Sequence, residues 1–184
     1  MARTPTTQIP LGFKAPDFSL FNTVNGQIIN LKDVSKKNGL VVMFICNHCP
    51  FVVHVVDELV SLAKDYQNQE IGFVAISSND VVNYPEDNPD KMKKLALEKD
   101  FSFPYLYDES QEVAKNYDAA CTPDFSVFDG NLKCVYRGQL DDSRPSNNEP
   151  VNGKDLRLTL DYMIQNKKID FIQKPSIGCN IKWK

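Results

Sequence analysis

An apolar run from Leu40 to Ile45 that ends at a Cys-x-x-Cys sequence constrains this chain more than any other feature. The run is short, uncharged and partly β-branched, which is typical of a buried strand. Pro50 follows the second cysteine, and apolar residues then recur at the spacing of a helix. Proline is well tolerated in the first helical turn, where its missing N–H costs nothing. Cys46 and Cys49 are therefore predicted where a buried strand passes into a helix.

This position of the two cysteines favours redox chemistry. The start of a helix offers backbone N–H groups and the positive end of the helix dipole, and both stabilise a thiolate. The short spacing also allows the two sulfurs to form a disulfide within a small ring. Zinc is the competing interpretation, but a structural zinc site needs four ligands and no second ligand pair accompanies the first. We therefore predict a dithiol/disulfide site with no metal and no organic cofactor.

Composition narrows the class of protein. A chain of 184 residues has the size of one domain, and we assign residues 1–184 to a single domain with extended tails at 1–14 and 174–184. The net charge of −3 offers no basic field for nucleic acid. No stretch approaches the roughly 18 apolar residues of a membrane span, and the N-terminus lacks the apolar segment of a signal peptide. An odd count of five cysteines does not suit a fully paired disulfide framework, so we expect a cytoplasmic protein. We expect neither nucleic-acid nor membrane partners.

Strands and helices are predicted to alternate in the first half of the chain. The Asn-Gly pair at 25–26 indicates a hairpin between strands at 15–20 and 27–31. Residues 71–76 form another uncharged strand, and Asn-Pro-Asp at 88–90 is a strong helix start. Such alternation indicates a mainly parallel sheet covered by helices on both faces.

The second half contains a hairpin and a final helix. Asp108 and Gln111 resemble a capping box for a short helix. A strand beginning at Phe125 turns at 129–130 and returns over 133–137, and residues 153–166 have the pattern of an amphipathic helix. We expect the N-terminal 14 residues to lie loosely on the surface and the C-terminal tail to be too short for an element.

The order of these elements, with Cys-x-x-Cys after the first core strand and Thr-Pro before a hairpin, resembles the thioredoxin fold. More closely, the chain resembles the peroxiredoxin-like branch of the redoxin superfamily, relatives of alkyl hydroperoxide reductase and thiol-specific antioxidant proteins. The resemblance implies an α/β thioredoxin-like fold with a central mixed sheet flanked by helices, an N-terminal β-hairpin and a redoxin-type insertion at 71–100. The pieces that carry it are Ala15-Pro16-Asp17-Phe18, Phe44-Ile45-Cys46-Asn47-His48-Cys49-Pro50, Cys121-Thr122-Pro123-Asp124-Phe125 and Ile177 to Lys184.

The resemblance also implies roles for the site residues. Cys46 would be the attacking thiolate and Cys49 the resolving partner, which agrees with our expectation that Cys46 is nearer the helix start and more exposed. Pro123 would be cis and, with Thr122, would offer backbone groups to an incoming substrate chain. A protonated His48 would stabilise the thiolate and make the disulfide more oxidising, whereas a solvated His48 would have no electronic role.

The remaining candidate residues allow alternatives. Cys121 is expected near the redox pair, as a third redox thiol or as a small packing residue. Cys179 would pair with Cys121, act as an extra resolving thiol or simply pack in the tail. Cys134 is interpreted as structural, Arg137 as a strand residue that is more often solvated than functional, and the acidic pair at 86–87 as lacking the further oxygen ligands of a metal site.

The function implied is a thiol-disulfide oxidoreductase that acts on protein or small-molecule thiols and disulfides, with an electron donor such as thioredoxin or glutathione. The alternative is a thiol peroxidase in which Cys46 forms a sulfenic acid. Peroxiredoxins carry Pro-x-x-x-Thr-x-x-Cys, but Gly39 and Met43 occupy those places before Cys46. The buried acid of reductive thioredoxins is replaced by Leu40, so proton handling must differ. A non-catalytic binding module is the least favoured, because both cysteines of the motif are intact.

Overall fold

The computed structural model describes residues 3–184, which form ten strands and five helices. A short 3₁₀ helix, Pro85–Asp87, precedes the third helix. The strands are β1 (Arg3–Pro5), β2 (Ser19–Asn22), β3 (Ile28–Asn30), β4 (Gly39–Phe44), β5 (Ile71–Ser77), β6 (Tyr105–Tyr107), β7 (Cys121–Thr122), β8 (Asp124–Phe128), β9 (Cys134–Gly138) and β10 (Ile177–Asn180). The helices are α1 (Leu31–Val34), α2 (Pro50–Tyr66), α3 (Pro89–Glu98), α4 (Glu112–Asn116) and α5 (Lys154–Ile164).

A seven-stranded mixed sheet with the order β3-β2-β6-β5-β4-β8-β9 forms the centre of the fold. The pairs β4–β5 and β5–β6 are parallel, and the other pairs are antiparallel. The mixed sheet and the N-terminal hairpin β2–β3 are confirmed. The prediction of a mainly parallel sheet is wrong, because hairpins at both edges add antiparallel pairs. The segment 71–100 contributes β5 and α3, as expected for the insertion.

Strand β4 passes through the middle of this sheet and is buried on both faces. Val41 and Met43 pack with residues of α2, α3 and α5, whereas Leu40, Val42 and Phe44 pack with residues of α1 and α4. Helices on both faces leave no side of the strand for polar residues, which explains the uncharged run. Each fully buried large apolar side chain contributes about 1.5–3 kcal/mol, so the end of β4 is firmly placed.

The helix that follows β4 begins where the sequence predicted, with Pro50 in its first turn. At 17 residues it is the longest of the five, and its buried face runs from Val52 to Tyr66. Among the helices of residues 3–184, none has both the length and the apolar character that crossing a membrane would require.

The capping box predicted at Asp108 and Gln111 is wrong. Gln111 itself is the N-cap of α4, with a φ of 65°, and its side chain makes no capping hydrogen bond. Its side-chain amide donates instead to the carbonyl oxygens of Ser78, at 2.7 Å, and Lys182, at 2.8 Å. Gln111 therefore connects the end of β5 to the C-terminal segment.

The two tails form structure that the sequence did not predict. β10 lies between β1 and β7 in a three-stranded antiparallel sheet, so the C-terminal tail does contain an element. Thr6, just after β1, is buried, which contradicts a loose N-terminal segment. Residues 1 and 2 of that segment lie outside the described residues. Neither strand alternates clearly between apolar and polar residues, and each is stabilised by pairing with the other end of the chain.

Candidate active site

The two cysteines of the motif lie between β4 and α2, but in a different relation to the helix than predicted. The helix begins at Pro50, and Cys49 is its N-cap. Cys46 is therefore the cysteine farther from the helix start. Neither is exposed, since Cys46 retains 1% and Cys49 0% of its accessible surface. The expectation that Cys46 is nearer the helix and more exposed is wrong.

The sulfur of Cys49 makes two close polar contacts. Its sulfur lies 2.8 Å from Sγ of Cys179 and 3.1 Å from the carbonyl oxygen of Thr122, to which the thiol form donates. The hydrogen bond from the Cys46 thiol lowers the pKa of Cys49 to about 5. The Cys179 thiol acts in the same direction, and burial, which raises the pKa, does not reverse the effect. The negative charge of the pair is thus favoured on Cys49.

Cys46 has opposite surroundings. Its pKa is raised well above the ordinary value because its thiol donates to Cys49, because it is buried and because the Asp87 carboxylate is close. The hydroxyl of Thr122, 3.3 Å from the Cys46 sulfur, acts in the other direction but does not reverse the effect. These surroundings favour the proton on Cys46 and the negative charge on Cys49.

Asp87 is a fully buried carboxylate next to the pair. It accepts hydrogen bonds from the backbone N–H groups of Asn47, at 2.7 Å, and His48, at 3.3 Å. The Asn79 amide donates to its Oδ2 at 2.8 Å, and Nδ1 of His48 lies 2.7 Å from the same oxygen. The His48 ring is only partly exposed and stacks on Tyr84, with ring centroids 5.7 Å apart. His48 is thus held by an acid and is not the solvated residue that one interpretation expected.

The sequence named Asp87 only as part of an acidic pair in a loop and missed its place in the site. The one local signal is the Asn-Pro start of α3, which directly follows Asp87 and indicates where the loop ends. No local pattern, however, indicates that this loop folds onto residues some forty positions earlier. Asp87 is thus a buried acid beside the pair that comes from a loop and not from the central strand.

Cys46, His48 and Asp87 could also be considered for a metal ion, because one ligand atom of each lies within 4.8 Å of the others. The oxygens of Asp87 already accept the hydrogen bonds described above, so a cation would have to displace them. Three such ligands are one fewer than a structural zinc site uses. The sequence-based exclusion of zinc did not consider Asp87.

The Thr122–Pro123 peptide bond is cis, as predicted. Thr122 contacts both cysteines, through its hydroxyl at Cys46 and its carbonyl oxygen at Cys49. Its backbone also pairs with Cys179 of β10. The structure thus brings Thr122 and Pro123 to the redox pair, and their role in binding a substrate stays a prediction.

The structure places the remaining cysteines differently from one another. Cys179 lies against Cys49 rather than pairing with Cys121 or merely packing in the tail. Cys121 is buried in β7, its thiol donates to the Pro123 carbonyl at 3.5 Å, and burial raises its pKa. Cys134 is buried in β9, where burial raises its pKa to about 12. Of these three, only Cys179 is in direct contact with the redox pair.

Arg137 is buried, so its interpretation as a solvated strand residue is wrong. Its guanidinium donates to the Ser126 hydroxyl at 2.9 Å and the Asp118 carbonyl at 2.8 Å, and lies 3.9 Å from the Asp124 carboxylate. Burial raises the pKa of Asp124, and the arginine opposes that rise. This ion pair supports the strand after Pro123.

Comparison with solved structures finds near-complete matches. An uncharacterized conserved protein from Geobacillus kaustophilus is 57% identical, with a TM-score of 0.98 over 100% of this chain and 97% of that chain. A hypothetical protein from Sinorhizobium meliloti 1021 is 43% identical, with a TM-score of 0.96 over 98% of both chains.

More distant structures share the fold. The thioredoxin domain of a thiol-disulfide oxidoreductase from Bacteroides vulgatus is 15% identical, with a TM-score of 0.63 over 83% of this chain and 99% of that chain. This likeness, with the mixed sheet and the cis proline, establishes a thioredoxin-like fold. No curated protein matches the sequence.

The family model described as AhpC/TSA matches residues 11–137, which is more than half of the chain. The match includes β4, the Cys-x-x-Cys pair, the insertion and the Thr-Pro turn, and it ends before Cys179. The pair and the fold are those of thiol-based redox proteins. The chain belongs to the AhpC/TSA family.

Proposed function

We propose that this protein is a thiol-disulfide oxidoreductase whose redox pair is Cys46 and Cys49. The observation that carries the proposal is the position of Cys49 at the N-cap of α2, with the Cys46 and Cys179 thiols at its sulfur. A nucleophilic cysteine needs a stabilised thiolate, and those thiols provide it. The family and the fold support thiol redox chemistry in general.

The proposed roles are the reverse of those implied by the resemblance. The Cys49 thiolate attacks a substrate disulfide, so that the S–S bond breaks, one substrate thiolate leaves and a mixed disulfide forms. Cys46 then loses its proton and attacks the Cys49 sulfur, which releases the second substrate thiolate. The substrate gains two electrons and Cys46–Cys49 becomes a disulfide. Asp87 and His48, beside Cys46, are the groups proposed to accept its proton.

The substrates proposed are protein or small-molecule disulfides, with Thr122 and Pro123 as the backbone edge that binds them. A thiol reductant such as thioredoxin or glutathione would regenerate the pair. The reducing cytoplasm is the compartment that suits an odd number of cysteines. We propose that residues 1–184 form one domain. Because both sulfurs are buried, a substrate reaches Cys49 only when the segment that covers it moves.

Insulin reduction in the presence of dithiothreitol tests this proposal. Wild-type protein is expected to accelerate precipitation of the insulin B chain, and Cys49→Ser to reduce the rate to that of dithiothreitol alone. Cys134→Ser is the matched control, since that cysteine is equally buried but has no contact with the pair. Full activity of Cys49→Ser would refute the proposed role of Cys49. No activity of the wild type would refute the proposal as a whole and favour a binding module.

One observation favours the peroxidase alternative. The strand before Cys46 lacks the family's threonine hydroxyl, but Oγ1 of Thr122 lies 3.3 Å from the Cys46 sulfur. Such a hydroxyl could orient a hydroperoxide at the sulfur. Stopped-flow mixing of reduced protein with hydrogen peroxide separates the two functions. Rapid oxidation that is lost in Cys46→Ser supports the peroxidase, and slow oxidation of the wild type excludes it.

A further inference from the structure

The C-terminal strand lies on the backbone edge next to the redox pair. β10 is antiparallel to β7, with Cys179 opposite Thr122 and Asn180 opposite Cys121. The same strand pairs with β1 on its other side. This pairing places the Cys179 sulfur 2.8 Å from that of Cys49. A cysteine is thus presented to Cys49, the proposed nucleophile, on an extended strand.

Gly178 allows β10 to approach this closely. A Cβ atom at this position would lie 2.0 Å from the carbonyl oxygen of Thr122, a distance that no side chain tolerates. Just before the strand, the Ser176 hydroxyl donates to the Pro123 carbonyl oxygen at 2.7 Å. The contact between β10 and the Thr-Pro turn is therefore specific in shape and in hydrogen bonding.

The other end of the strand is also held. The Lys182 carbonyl oxygen accepts from the Asp80 N–H at 2.8 Å and from the Gln111 side chain at 2.8 Å. The Lys182 N–H donates to the Asn79 side chain at 2.8 Å. These bonds span two loops of the main sheet. Cys179 is consequently buried and held at Cys49 from both directions.

We propose that β10 is an internal substrate strand and that Cys179 is a third redox thiol, which exchanges a disulfide with Cys49. The proposal rests on the proposed function of the Cys46–Cys49 pair. A disulfide has an S–S distance of about 2.05 Å, so the sulfurs of Cys49 and Cys179 would have to approach by only about 0.8 Å. Pairing of an extended segment with a strand edge is a general mode of peptide binding, and here the chain supplies the segment itself.

The exchange needs no outside oxidant once Cys46–Cys49 is a disulfide. The Cys179 thiolate attacks the Cys49 sulfur, the Cys49–Cys179 bond forms and the Cys46–Cys49 bond breaks. Cys46 leaves as a thiolate and takes up the proton that Cys179 has lost. The protein is neither oxidised nor reduced overall. The disulfide that joined Cys49 to Cys46 now joins Cys49 to Cys179 of the C-terminal strand.

Oxidation of Cys46→Ser by glutathione disulfide is the test. Cys49 attacks glutathione disulfide, one glutathione leaves, and Cys179 then displaces the second glutathione from Cys49. The expected product has lost two thiols, carries no glutathione and yields a peptide pair linked through Cys49 and Cys179 in mass spectrometry. A stable glutathione adduct on Cys49, with Cys179 open to alkylation, would overturn the proposal.

A second pair of variants tests the strand contact. Gly178→Ala in the Cys46→Ser background is expected to abolish the Cys49–Cys179 disulfide and leave the glutathione adduct on Cys49. Asn180→Ala in the same background is the matched control, because that side chain is exposed and the disulfide should form as before. Equal yields of the disulfide in the two variants would overturn the proposed contact.

The two proposals fail in different ways. If only Cys179 is inactive, wild-type protein still reduces insulin while Cys46→Ser accumulates the adduct. If the redox pair itself is not functional, wild-type protein fails in the insulin assay whatever Cys179 does in Cys46→Ser.

Discussion

Two segments flank the redox pair, and they add to the opposite properties that the hydrogen bond from the Cys46 thiol to Cys49 gives the two cysteines. The loop before α3 presents the buried carboxylate of Asp87 to Cys46. The N-terminus of α2 and the strand β10 present an amide and the Cys179 thiol to Cys49. An acid raises the pKa of a thiol and a hydrogen-bond donor lowers it. The site of the thiolate in this Cys-x-x-Cys therefore depends on what each segment presents and not on the order of the cysteines.

Burial disfavours the thiolate form of both cysteines, whose accessible surfaces are nearly the same. Thr122 also contacts both, by its hydroxyl and by its carbonyl oxygen. What remains different is the charge and the donors on each side. Variants that alter one side alone should consequently change one cysteine far more than the other.

The largest effect is expected when glutathione trapping compares two variants that each retain one cysteine of the pair. Of the three neighbouring cysteines 46, 49 and 179, Cys46→Ser/Cys179→Ser retains only Cys49. This variant should form one glutathione adduct per chain with glutathione disulfide. Cys49→Ser/Cys179→Ser retains Cys46, which keeps its proton, and should form almost none. Intact mass after a short incubation measures both. An adduct on Cys46 that forms as fast as that on Cys49 would remove the distinction between the two sides.

The next largest effect concerns the acid side. Asp87→Asn loses one acceptor oxygen in a fully buried position with several donors, and an unpaired buried group costs about 1–3 kcal/mol. We expect the free energy of unfolding, measured in urea, to fall by that amount, and the pKa of Cys46 to fall toward its ordinary value. Glu86→Gln is the matched control, since this neighbouring acid is exposed and pairs with Lys91 on the surface. Equal stability of the two variants would contradict the account of the acid side.

A smaller effect is expected on the strand side. The Lys182 ammonium lowers the pKa of Cys179, against the larger opposing effect of burial. Lys182→Met should therefore slow formation of the Cys49–Cys179 disulfide by about two- to threefold, the scale of one weak ion interaction. The half-time of disulfide formation in the Cys46→Ser background measures it, with Lys184→Met as the control. An unchanged or faster rate in Lys182→Met would show that this charge does not act on Cys179.

The fold and the location of the pair could be predicted because their signals are local. An uncharged run, two cysteines and a proline define strand, turn and helix within a few residues. The same proline also indicated which cysteine is nearer the helix, since a proline in the first turn makes the preceding residue, Cys49, the N-cap. The assignment of Cys46 to that place followed the family pattern and overlooked this signal.

The rest of the site could not be predicted because its contacts span long distances in the chain. Cys179 is 130 residues from Cys49, and its strand is formed by pairing with β1 and β7. Asp87 reaches the pair through a loop whose direction is set by the packing of α3. Short strands without an alternating pattern and single acids in loops give no signal of their own partners.

Titration of the thiolate by its ultraviolet absorbance tests the central claim, that Cys49 carries the charge, most directly. A thiol with a lowered pKa is charged above that value and becomes neutral as the pH falls through it. Reduced wild-type protein should show a step near pH 5, retained in Cys46→Ser because a serine hydroxyl still donates, and absent from Cys49→Ser. A step near pH 5 that persists in Cys49→Ser and disappears in Cys46→Ser would place the charge on Cys46 and contradict the account.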